Sequence, residues 1–205
     1  MKTKKLKFLI FVNIISFIGY QLFAPFYSLY AYSIGISASM TGLLWAYYSM
    51  LTMVFLLVFG RYENHLNKDK LVVVGFFMYS IGAYLFLLAH NITSLAIIFA
   101  FNALAAGITL PAYKTIFAKL QEHGRESEEW SWLDAGNMIA ISIGSVIGGV
   151  VIGLFGFKGI FIVMGTVQLF AACIAYATLS KKHRKKPFLI SSKSLSKLIQ
   201  QKEAQ

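Results

Sequence analysis

The chain has 205 residues, of which 58% are hydrophobic and 13% charged, with a formal net charge of +11. A soluble domain carries about 25% charged residues, so this composition excludes an ordinary soluble fold and points to an all-α integral membrane protein. Cys173 is the single cysteine, which excludes an internal disulfide and a cysteine-based metal site and makes it a small buried hydrophobe.

Met1 to Lys7 is a basic tail carrying Lys2, Lys4, Lys5 and Lys7. A first span is expected over residues 8–31. It is too long for the apolar core of a signal peptide and carries Asn13, Gln21 and Pro25, so it reads as a retained helix. An uncharged loop, residues 33–39, leads to a second span over 40–60, which ends at Gly60. The polar stretch GRYENHLNKDK follows, then a third span over 71–89 and a short turn. The fourth span covers 94–118, and a charged loop over 119–129 follows, with Gly124 as the helix stop. The fifth span covers 131–155, residues 156–159 turn the chain, and a sixth span ends near Leu179. Each span is long enough to cross about 30 Å of hydrocarbon. The domain plan is therefore a tail at 1–7, a six-helix membrane domain at 8–180 and a basic tail at 181–205.

Lysine and arginine set the expected orientation. The amino-terminal tail, the loop with Arg61, Lys68 and Lys70, the region of Lys114, Lys119 and Arg125, and the carboxy-terminal tail fall on one side. Lys158 stands alone on the other. The positive-inside rule then places both termini in the cytoplasm, and the chain in a cytoplasmic membrane as a multi-pass protein. Membrane topology and anionic lipid account for the basic excess, so no nucleic-acid partner is expected. In the last fifteen residues Leu195, Leu198 and Ile199 share one helical face, which fits either a helix on the headgroups or an irregular tail.

Ionisable groups in mid-membrane would mark chemistry. No Asp, Glu or His falls near the middle of a span, and Lys114 and Asp134 lie near helix ends. Uncharged polar residues are more informative. Asn13, Ser16, Tyr20 and Tyr27 follow three-or-four spacing on the first helix, and Asn102, Thr109 and Tyr113 do so on the fourth. Such stripes either line a solute cavity or bond neighbouring helices. With Gln21 and Lys114 they are the substrate-cavity candidates. On the fifth span Gly136, Ala140, Gly144 and Gly148 recur at steps of four, beside a second stripe of Ser145, Gly149 and Gly153. Small stripes let another backbone approach closely in lipid, so these residues are candidates for packing against other helices or another copy of the chain. No catalytic constellation, metal site, cofactor loop or enzyme motif is present.

The order of these features resembles the major facilitator superfamily. A first helix carries Gly19 and Pro25, a second ends in Gly60 before a basic loop, and a glycine-rich fifth ends in GFKGIF. The resemblance covers residues 8–180 and implies one six-helix half of that fold. Gly60, Lys68 and Lys70 match the family's loop signature, while Asn64, His65 and Asn67 replace its aspartate, arginine and second glycine. Phe99 stands near the usual arginine of the fourth helix, and the proline of the fifth is missing. The resemblance implies that helices one and four line a cavity, two and five meet the other half, and three and six lie outside. It implies a transporter of a small solute, paired as a homodimer or with a second six-helix half in the lipid bilayer. The alternative is a transport-inactive accessory or split-gene half bound to another membrane protein.

Overall fold

The computed structural model describes residues 2–62 and 66–179. Its elements are α1 (Lys2–Gln21), a 3₁₀ turn (Ala24–Phe26), α2 (Tyr27–Ser33), α3 (Ala38–Tyr62), α4 (Lys68–Leu85), a second 3₁₀ turn (Phe86–Leu88), α5 (Ile92–Leu120) and α6 (Glu126–Leu179), with no strand among the described residues. Among the described residues, five helical stretches are long and apolar enough to cross a membrane. The expected tail at 181–205 and its amphipathic pattern lie outside the described residues, as do Asn64 and His65.

α1 begins inside the basic tail at Lys2, because lysine is a good helix former and no breaker intervenes. The first span, expected over residues 8–31, is interrupted near Pro25, which occupies the 3₁₀ turn and has no N–H to continue an α-helix. α5 instead runs through Pro111 unbroken. Both ends of the expected charged loop are already helical. α5 ends at Leu120 and α6 starts at Glu126, where Glu126, Glu128 and Glu129 supply negative charge to a helix N-terminus. Gly124 sits in the turn between them at φ 83°.

α6 is two arms joined at Gly156, whose φ of 64° and ψ of −169° are non-helical and open to glycine alone. The arms run in opposite directions along α1. In the first, Gly136, Gly144 and Gly148 meet Ile14, Ile18 and Leu22 in ascending order. In the second, Phe161 meets Phe23 and Tyr30, while Gln168 meets Ser16. At about 1.5 Å per residue, the arms 126–155 and 157–179 are about 45 and 35 Å long.

Helix crossings occur at small residues. α1 lies against both arms of α6, α4 lies between the second arm and α5, and α3 lies against α5. A methyl group at Gly75 would strike Thr109, one at Gly82 would strike Asn102, and one at Gly107 would strike Phe55. Two apolar clusters close the bundle. Leu22, Phe23, Phe86, Phe99 and Phe161 fill one end, and Val12, Val72, Phe76, Phe117 and Ala172 the other. α3 contributes only Thr41 and Leu44 as buried residues.

Candidate functional site

Two adjoining cavities open among α1, α3, α4 and α5, where α1 and α5 meet only briefly. The larger, about 260 Å³, is lined by Asn13, Ser16, Thr52, Thr109, Tyr113 and Gln168 together with aromatic and aliphatic walls. The smaller, about 50 Å³, lies toward the other end of the bundle and is lined by Phe23, Tyr27, Trp45, Phe99, Asn102 and Met164 among others. Tyr20 from α1, Tyr48 from α3 and Tyr79 from α4 line both cavities and mark their junction. Among the described residues, none that lines either cavity is Asp, Glu, Lys, Arg or His.

The structure brings seven of the nine sequence candidates to these walls: Asn13, Ser16, Tyr20, Tyr27, Asn102, Thr109 and Tyr113. Their bonds differ in kind. Asn13 Nδ2 donates to Asn137 Oδ1 at 2.9 Å, tying α1 to the first arm of α6. Ser16 Oγ donates to Gln168 Oε1 at 2.7 Å, and Gln168 Nε2 donates back to the Ser16 carbonyl at 2.9 Å. Both residues are buried, at 7% and 4% exposure, so this pair satisfies polar groups that apolar surroundings would penalise. Tyr113 Oη donates to the Leu9 carbonyl at 3.4 Å, and Tyr27 Oη to the Thr41 carbonyl at 3.2 Å. Thr109 and Asn102 bond within their own helix, to the carbonyls of Ala105 at 2.6 Å and Ile98 at 2.9 Å. The stripes are therefore helix-joining on α1 and partly self-satisfied on α5, while lining the same space.

Two candidates lie elsewhere. Gln21, one position past Tyr20, is turned by about 100° around the helix and lies against Gly144 of α6. Lys114, one position past Tyr113, is exposed and lines neither cavity. Cys173 is exposed rather than buried, because the outer face of this helix, like the others, is apolar and small residues fall on both faces.

The glycine stripe is covered within the chain. A methyl at Gly144 would lie 2.8 Å from Gln21 Cβ and 3.0 Å from the Ile18 carbonyl oxygen, and one at Gly148 would strike the Leu22 carbonyl. Gly136 meets Ile14, and Ala140 is fully buried. Gly136, Gly144 and Gly148 thus pack against α1 within the chain, with Ala140 buried in the same stripe. A methyl at Gly149 would meet only Phe26, at 3.4 Å, and one at Gly153 would find open space. Of the loop-signature residues, Gly60 is also open, while Lys68 and Lys70 begin α4, which is capped by Asn67 accepting from the Lys70 amide at 3.2 Å.

Several cavity residues were missed by reading α1 and α5 alone. Gln168 sits on the second arm of α6, the segment expected outside, and Tyr48, Thr52 and Tyr79 come from α3 and α4. Gln168 carried a signal: an amide in the middle of a span must find a partner, since lipid offers none. Tyrosines carry no such signal, since their rings suit lipid-facing and cavity-facing positions alike. No group of three His, Cys, Asp or Glu that could hold a metal stands together among the described residues.

The sequence matches the Major Facilitator Superfamily over residues 9–203. It is similar to the quinolone resistance protein NorA of Staphylococcus aureus, 23% identical over 143 residues that make up 69% of this chain and 37% of that protein. It is also similar to the uncharacterized MFS-type transporter MJ1560 of Methanocaldococcus jannaschii, at 22% over 179 residues, 87% of this chain and 46% of that one. The fold resembles the crystal structure of the POT family transporter PepTSo, with a TM-score of 0.61 and 13% identity over 85% of this chain and 37% of that chain. The chain spans less than half the length of each of these proteins. On a match that runs through nearly its whole length, it belongs to the Major Facilitator Superfamily.

Proposed function

We propose that this chain is one six-helix half of a membrane transporter and that the paired cavities on α1 and α5 hold its small solute. The observation that carries this is the convergence of Asn13, Ser16, Thr109, Tyr113 and Gln168 on one space of about 260 Å³ that no other described element fills. Polar walls around an open space suit a ligand better than they suit hydrocarbon. Family membership and similarity to a protein named as a transporter support the same reading. The reversal at Gly156 and the one-sided lysines and arginines support six crossings with both termini in the cytoplasm. Reporter fusions at Gly124 and at Gly35 should give opposite sides.

The cavity needs a cover. α3 and the first arm of α6 present Met50, Leu57, Val146, Val150 and Leu154 outward. A second copy related by an axis along the membrane normal, or another six-helix half, would close it. With Gly144 and Gly148 committed to α1, the contact falls on these large side chains rather than on glycines.

The test is solute flux in proteoliposomes holding this chain, alone and with a candidate second half. Asn13→Leu and Thr109→Val should each reduce flux by at least tenfold while the protein stays folded. Normal flux in both variants would remove the cavity from the mechanism. A second reading has one specific support: Asn67, in place of the signature's second glycine, is used as a helix cap. On that reading the chain is a transport-inactive partner of another membrane protein, and no pairing would yield flux.

A further inference from the structure

The cavities are unlike in their walls and adjoin at one feature. The larger offers hydroxyls and amides, from Asn13, Thr52, Thr109 and Gln168. The smaller is almost wholly aromatic, with Phe23, Tyr27, Trp45, Phe86 and Phe99 in mutual ring contact. Tyr20, Tyr48 and Tyr79 line both and come from three different helices. A side chain that edges both spaces presents ring surface to whatever crosses between them.

We propose that the three tyrosines form a collar that selects a flat, uncharged aromatic solute, seated with its rings against Tyr20, Tyr48 and Tyr79 and its polar edge toward Asn13 and Thr109. Three observations set the class. The walls near the collar are aromatic, and rings attract rings by offset or edge-to-face packing beyond the effect of area alone. Among the described residues no ionisable side chain other than tyrosine lines either cavity, so this chain offers a charged solute no ion partner in exchange for its hydration. The space of about 260 Å³ is also adequate for two fused rings, since an apolar cavity of about 150 Å³ takes up benzene. The inference rests on the cavity being a solute site.

The experiment is equilibrium dialysis of the full chain in nanodiscs, corrected with empty nanodiscs, at neutral pH. The probes are 2-naphthol, its saturated counterpart decahydro-2-naphthol, the anion 2-naphthoate and the cation 2-naphthylmethylammonium. 2-Naphthol is expected to bind saturably, and the other three at least tenfold more weakly. Simple partition into lipid predicts the reverse for the saturated alcohol, which is the more apolar. Tyr48→Ala should weaken 2-naphthol binding about tenfold, whereas Tyr48→Phe, which keeps the ring, should stay within threefold of the native chain. Equal binding of the saturated alcohol or of either ion would overturn the proposal, as would an unchanged affinity in Tyr48→Ala. If the chain moves some other solute while 2-naphthol fails to bind, the solute class falls and the transport reading stands. If 2-naphthol binds as expected and no pairing gives flux, the transport reading falls and the collar stands.

Discussion

The first arm of α6 and the helix α3 are both long, apolar and glycine-containing, yet the fold treats them in opposite ways. On α6, Gly136, Gly144 and Gly148 lie against the backbone and side chains of α1 with no room for a methyl group. On α3, Gly42 and Gly60 have nothing within reach, and Met50 and Leu57 are exposed at 64% and 70%. In water the more apolar face would be the inner one. In lipid both faces are solvated equally well by hydrocarbon, so close fit and polar pairing decide which face turns inward. The small stripe of α6 is fitted against α1, whereas Ala38, Gly42 and Ala46 of α3, also at steps of four, stay exposed.

The largest expected effect tests that stripe directly. Gly148→Leu should abolish folding or lower stability by more than the roughly 1–3 kcal/mol typical of overpacking, because the obstacle is the Leu22 backbone rather than a movable side chain. Gly153→Leu, one turn further along and open, should leave thermal stability in detergent unchanged. Equal loss in the two variants would erase the distinction between the stripes.

A middle-sized effect sharpens the role of polar pairing. Ser16→Ala removes the donor to Gln168, and the lost bond should cost about 0.5–2 kcal/mol, the range for interhelical hydrogen bonds in membranes. Restoring an apolar match with Ser16→Ala and Gln168→Leu together should recover part of that loss. A double variant that is worse than the sum of its parts would show that Gln168 serves the cavity or the packing in some other way.

The smallest effect belongs to α3. Gly42→Ala should cost no stability in the isolated chain and should add at most about 1 kcal/mol through helix propensity. A loss comparable to that of Gly148→Leu, appearing only at protein concentrations where a complex forms, would place Gly42 in a contact between halves.

Spacing on single helices gave most of the polar residues of the cavity wall, though few of the apolar ones, since residues three and four apart must share a face. Asn13, Ser16 and Tyr20 on one helix and Thr109 and Tyr113 on another needed only that rule to be grouped. Gln21 and Lys114 fell outside because each is one position from the stripe, and a single position rotates a side chain off the face. Tyr48 and Tyr79 were not legible at all. Each is one aromatic among several on its helix, and only the neighbouring helices decide which of them looks inward.

The sequence by itself determined the membrane class, the approximate extents of the spans and the reversal at Gly156–Gly159. These follow from composition, hydrocarbon thickness and a backbone conformation open to glycine, whereas Pro25 breaks its helix and Pro111 does not. Only the tertiary structure decided what the glycine stripe faces and which helices share the cavity. Sequence periodicity defines a face on a helix, but in a medium that solvates every apolar face alike, the neighbour for that face is fixed by shape, and shape exists only once the helices are packed.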